Sequence, residues 1–170
     1  MAYGLLLLRV VLGGTMFAHG AQKLFGWFGG HGLQATGGFF GSLGFRGGTL
    51  MALMAGLAET SGLLIALGFL TPLAAFAIAV VMVVAIGTIH WTKGFFAMNG
   101  GYEFNLLIIA SAIAIACIGP GRFSIDRAIG WDDNITGPVW AVAIVGGAVV
   151  AGLATLVVGR ERAHAREVTA

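Results

Sequence analysis

The sequence predicts an all-α polytopic transmembrane bundle, a core of four helices with a fifth spanning helix at the C-terminal end. Three observations predict it. Of the 170 residues, 58% are hydrophobic and only 9% are charged, against about 25% charged in a soluble domain. Five apolar segments recur along the chain: Ala2–Phe25, Thr49–Leu70, Leu73–His90, Tyr102–Ile118 and Val139–Val158. A chain this small folded in water leaves too little interior to hide so much apolar surface, so lipid is the solvent the composition requires.

A spanning helix needs roughly 20 apolar residues, with about 17 as the lower bound. Four of the segments meet that length, and Tyr102–Ile118 sits at the bound. Thr71 and Pro72 separate the second and third segments. Thr suits a helix N-cap and Pro the first helical turn, which predicts a tight antiparallel hairpin there.

The stretch 26–48 is rich in glycine and phenylalanine. It is too broken to span, and reads as an interfacial loop with a short helix around Leu33–Leu43. Residues 91–101 read as a second aromatic, interfacial loop. Residues 118–138 carry Gly119, Pro120 and Gly121, then Arg122, Asp126, Arg127, Asp132 and Asp133. This is the most polar connection and is expected outside the membrane.

The domain reading is therefore a four-helix core over 1–130, a linker over 131–138, the fifth helix over 139–158 and a basic tail over 159–170. The N-terminal run reads as a spanning segment rather than a cleaved leader, since no basic region precedes it. The net charge of +2 and the lack of a long basic tract exclude nucleic acid as a partner. Arg160, Arg162 and Arg166 instead suit anionic headgroups. Positive charges counted by side favour a cytoplasmic C-terminus, a margin that comes from that tail. Cys117 is the only cysteine, so this chain alone supports neither a disulfide nor thiol–disulfide exchange.

Ionisable residues in spanning segments are costly and mark candidate sites. Arg9, Gly13, Met16, Gly20 and Lys23 follow steps of three and four, one stripe on the first helix. Ala52, Ala55, Glu59, Gly62 and Ala66 form a second stripe, whose small residues let another helix approach and turn Glu59 inward. Depth along the helices predicts a structural ion pair between Arg9 and Glu59. Lys23 and Lys93 are read as snorkelling to headgroups. Small residues around Gly146, Gly147 and Gly152 are read as a docking face for a partner helix.

His19 and His90 come from different helices at similar depth. Two imidazoles so placed suit a b-type haem, the lesser reading. They better suit the carbonyls of a quinone, with Glu103 or Glu59 exchanging the proton. The candidate cofactor-binding set is thus His19, Glu59, His90 and Glu103. No metal site and no nucleophile–base constellation is apparent.

These residues resemble the DoxX family of small membrane proteins. The resemblance is carried by Leu7-Leu8-Arg9, by Phe17-Ala18-His19-Gly20-Ala21-Gln22-Lys23-Leu24, by Glu59-Thr60-Ser61-Gly62 through Gly68, and by Thr71-Pro72. His90, Gly94-Phe95 and Gly101-Tyr102-Glu103 complete it, over about residues 4–130. It implies a four-helix membrane fold and a redox context, since some relatives are subunits of thiosulfate:quinone oxidoreductase. Others are thought to join complexes with a sulfurtransferase and a superoxide dismutase. The functional expectation is a plasma-membrane subunit or scaffold of an oxidoreductase or redox-defence complex, possessing other subunits as partners. A non-redox adaptor, a homo-oligomer and a transporter or proton channel are the alternatives.

Overall fold

The computed structural model describes residues 2–160. The basic tail's Arg162 and Arg166 lie outside the described residues. The helices are α1 (Ala2–Phe25), α2 (Gly32–Ser42), α3 (Gly48–Thr60), α4 (Gly62–Leu67), α5 (Thr71–Ala85), α6 (Glu103–Ile118), α7 (Ile125–Ala128) and α8 (Pro138–Val158). Among the described residues there is no strand, only an isolated bridge between Phe45 and Arg160.

Four helical units are long and apolar enough to cross a membrane. They are α1, α3 with α4 (Gly48–Leu67), α5 with its following turns (Thr71–Lys93), and α8. The apolar α6 has 16 residues, about 24 Å against a hydrocarbon core of about 30 Å. It packs chiefly against α5, with smaller contacts to α8 and α1. Many large apolar side chains, such as Leu7, Val11, Leu57, Leu73, Leu107 and Val150, are exposed on the outside of the bundle. Such a surface requires lipid, and the chain is a multi-pass membrane protein in contact with the bilayer.

The two small-residue stripes meet each other. A β-carbon at Gly13 would lie 2.3 Å from the carbonyl oxygen of Gly62, and one at Gly62 would lie 2.4 Å from that of Gly13. Backbones that close allow no side chain at either position. Gly20 meets Gly56 and Thr60 in the same way. Glycine faces thus bring α1 onto α3 and α4, the close packing that membrane helices use in place of a hydrophobic drive. The core beyond this seam is built around α5, where Ala74, Ala75, Ile78 and Ala79 are fully buried with Met16, Ile65, Ala112 and Ile115.

The fifth helix is part of this core. Gly147 and Gly152 lie against Phe76 and Val83 of α5, so that part of the face expected to dock a partner helix is occupied within the chain, while Gly146 borders open space. At its end, Arg160 donates to the carbonyl of Leu43 and lies over the ring of Phe45.

Residues 118–138, expected outside the membrane, are not an open loop. They fold onto the bundle end, with α7 and a 3₁₀ turn at Asp132–Asn134. Asp126 is fully buried. Its Oδ1 accepts from the N–H of Leu70 at 2.9 Å, and its Oδ2 accepts from Thr71 N and Thr71 Oγ1 at 3.1 and 2.7 Å. Thr71 was expected to cap α5 but lies inside it. The N-cap is Leu70, held at φ +48°, and the capping carboxylate comes from 55 residues away. A left-handed leucine is strained, and Asp126 both holds it and faces the positive end of the helix dipole.

Replacing Asp126 with Ala should therefore lower stability by about 3 kcal/mol, and Asp126→Asn by less, in thermal unfolding of detergent-solubilised protein. A loss no greater than that of exposed Asp133→Ala would refute the cap.

Candidate functional site

Two polar clusters lie inside the bundle, and the predicted pairing of Arg9 with Glu59 joins neither. Arg9 is 1% exposed. Its Nε donates to the carbonyl of Ile65 at 2.9 Å, Nη2 to that of Ala66 at 2.8 Å, and Nη1 to those of Phe123 (2.9 Å) and Pro120. Ile65 and Ala66 lie in the last turn of α4, whose carbonyls have few partners within the helix. A guanidinium with five donors satisfies that end and the 118–123 connection together. Gly68 makes room for it: its φ is +64°, and a β-carbon there would lie 2.6 Å from Arg9 Nη2. Arg9 is therefore a backbone clamp, and the expected Arg9–Glu59 ion pair is replaced by two separate arrangements.

Glu59, 3% exposed, forms its ion pair with Lys23. Lys23 was read as a snorkelling residue. Instead it lies on the stripe that faces α3, where its long stem reaches the carboxylate. Immediately after Glu59 the helix breaks at Ser61, whose hydroxyl donates back to the carbonyl of Ala58.

This second cluster borders a cavity of about 1020 Å³, at the upper end of the size range of small-molecule sites. His19 and Lys23 reach it from α1, Glu59 from α3, His90 from the end of α5 and Asn105 from α6. The remaining walls are apolar and sulfur-bearing, with Met51, Met54 and Met82, and the short α2 contributes Phe39 and Phe40. Helix α8 contributes Ala151 and Thr155, so the C-terminal helix is part of the wall.

His90 owes its position to a local irregularity. The α5 helix gives way to a π-helical turn over Ile86–His90 and then a 3₁₀ turn over Trp91–Lys93. Such turns are rare and occur often at functional sites. The His90 Nδ1 lies 2.6 Å from the carbonyl oxygen of Gly100. A carbonyl only accepts, so Nδ1 carries the hydrogen and Nε2 is left with a lone pair when the ring is neutral.

Of the four expected cofactor-binding residues, His19, Glu59 and His90 line this one cavity and Glu103 does not. Glu103 opens α6, and its Oε2 turns back to accept from the N–H of Ala97 at 2.9 Å. It closes the 94–101 loop instead of facing the bundle. Asn105, two residues further on, takes the place expected for Glu103. It is 6% exposed, and its Nδ2 donates to Met82 Sδ at 3.4 Å. The signal for it was an amide within an apolar segment. Among the described residues, no three His, Cys, Asp or Glu side chains converge as a metal ion would need.

A family model, DoxX, matches residues 4–91. That stretch holds Arg9, the His19–Lys23 run, Glu59 and His90. The chain belongs to the DoxX family. The match ends after His90, so Asn105, Glu103 and the whole of α6 and α8 lie beyond the part that this DoxX protein shares with the family model. No curated protein and no solved structure matches the chain.

The two clusters predict different couplings. Lys23→Met and Glu59→Gln should each cost about 2 kcal/mol, and the double variant should lose less than their sum by about 1 kcal/mol. Arg9→Met combined with Glu59→Gln should be additive within about 0.5 kcal/mol. Unfolding in detergent reads both cycles; coupling of Glu59 to Arg9 and none to Lys23 would overturn the assignment.

Proposed function

We propose that this protein is a membrane subunit or scaffold of a membrane-associated oxidoreductase or redox-defence complex, and that its cavity binds a quinone. The observation that carries the reading is the composition of that cavity. A space of about 1020 Å³ with mostly apolar walls has His19, His90, Asn105 and the Lys23–Glu59 pair around it, brought from four different parts of the chain. An apolar pocket with a few convergent polar groups suits a ligand with a polar head and an apolar body.

A quinone bound there would supply two-electron, two-proton exchange with the rest of a complex. The residues fit such a head. Lys23 Nζ has N–H groups beyond the one given to Glu59, and His19 carries one donor and one acceptor when neutral, so both can hold an oxygen of the ring. His19 and His90 carry ring nitrogens that can donate or accept, which makes them the groups to exchange protons with the head. Glu59 fixes the height of the Lys23 ammonium. The methionines and phenylalanines exclude water and accommodate an apolar tail. Glu103, turned towards Ala97, has no part in this reading.

A second reading has one observation in its favour. The Arg9 clamp and the Lys23–Glu59 pair each find their partners within the bundle, as they would in a non-redox adaptor subunit. The proposed location is the plasma membrane, with other membrane or membrane-associated subunits as partners.

Gentle detergent purification followed by solvent extraction tests the reading. The expected outcome is a lipid-soluble quinone at close to one per chain, reduced by about tenfold or more in His90→Ala and Lys23→Met. Copurifying redox proteins would support the subunit role. Protein from quinone-rich membranes that carries no quinone, with only non-redox partners, would favour the adaptor.

A further inference from the structure

We propose that the cavity selects a ligand whose head presents O–H donors. On the quinone reading, on which this inference rests, it takes the dihydroxy form, the hydroquinone, in preference to the quinone itself.

The argument is an inventory of hydrogen-bonding capacity on the cavity wall. His90 has its Nδ1 hydrogen committed to the carbonyl of Gly100 at 2.6 Å, so a neutral ring offers only Nε2, an acceptor. Asn105 has one N–H of its amide on Met82 Sδ, which leaves it the other N–H and the carbonyl oxygen Oδ1. Glu59 has Oε2 held by Lys23, and no donor among the described residues reaches Oε1. Asn105 and Glu59 are 94% and 97% buried, from exposures of 6% and 3%. Yet among the described residues no walled-in side-chain nitrogen or oxygen lacks a partner. The free oxygens of Asn105 and Glu59 therefore border open space, and the open space these two residues line is the cavity.

Three acceptors on three separate elements thus stand at the cavity without a donor. Donors line the cavity too: the remaining N–H groups of Lys23, a ring N–H each of His19 and His31, and the second amide N–H of Gln22 and of Asn105. A quinone head carries two carbonyl oxygens, which only accept. It matches Lys23 and His19 but leaves Glu59 Oε1, His90 Nε2 and Asn105 Oδ1 stripped of water and unpaired, and such orphaned acceptors are costly. A hydroquinone head carries two hydroxyls, each of which donates once and still accepts. Its two O–H groups can pair two of the three acceptors while both oxygens still accept from the donors.

The experiment is calorimetric titration of the full chain in detergent, under anaerobic conditions, with three probes of the same decyl-substituted ring. They are the benzoquinone, its hydroquinone, and the hydroquinone dimethyl ether, which keeps the shape without O–H groups. The hydroquinone should bind about tenfold more tightly than the quinone, and the ether at least tenfold more weakly than the hydroquinone. Asn105→Leu should weaken the hydroquinone severalfold more than it weakens the quinone. If the quinone binds as tightly as the hydroquinone or more so, or if the ether matches the hydroquinone, the selectivity is overturned while the cavity stands as a quinone site. If none of the three binds, the quinone reading falls and this inference with it. The wild-type comparison decides the matter even where Asn105→Leu fails to fold.

Discussion

A guanidinium in hydrocarbon must have every N–H satisfied by protein, because no water is there to do it. Arg9 gives four of its five N–H groups to backbone carbonyls drawn from the last turn of α4 and from the 118–123 connection. The carbonyls need the donors as much as the arginine needs acceptors, since helix ends and loops carry unpaired oxygens. This exchange sets α1 against α4 at one height. Once Arg9 is fixed, the glycine seam at Gly13 and Gly62 follows, and then Gly20 against Gly56. Lys23, fourteen residues or about 21 Å along the helix, arrives at the level of Glu59. The ion pair at the cavity is thus registered by a clamp at the other end of α1.

The two polar clusters do different things because one is closed and the other borders space. Around Arg9 and Asp126 every polar group meets a partner within a few residues' width, and the outcome is fixed helix ends. Around Lys23 and Glu59 a pair is formed, but its neighbours His19, His90 and Asn105 face a volume that protein does not fill. Small residues in α1 and α3 hold the two clusters together, and α8 seals the far wall through Thr155 and the grip of Arg160 on Leu43.

Much of the bundle was legible in the sequence, and the reasons are physical. Apolar runs of spanning length and helical spacing of small residues declare membrane helices and their buried faces directly, and a short helix near Leu33–Leu43 is present as α2. The shared level of His19 and His90 also follows from depth and direction, whereas depth set Glu59 with Arg9. The failures share a cause, which is that a sequence displays side chains and hides backbone. Arg9 was matched with Glu59 because a carboxylate is visible as a letter and a helix-end carbonyl is not. Thr71 looked like a cap because its distant replacement, Asp126, is 55 residues away. Glu103 was placed in the bundle from its depth alone, although its position in the first turn of α6 lets it turn back to a loop amide. Gly147 and Gly152 marked a close helix contact correctly but not which helix would fill it.

The π turn before His90 has a consequence of its own. Such a turn holds one residue more than the α-helical count, and each residue of an α-helix turns the chain by about 100°. The direction in which the imidazole faces is therefore encoded by the number of residues between Thr71 and His90 as much as by their kinds. A relative that kept every side chain of the cavity but was shorter by one in that interval would carry its histidine on a different face of the helix. Chain length across this short interval, compared among DoxX proteins, separates those built to share this chamber from those that merely share its letters.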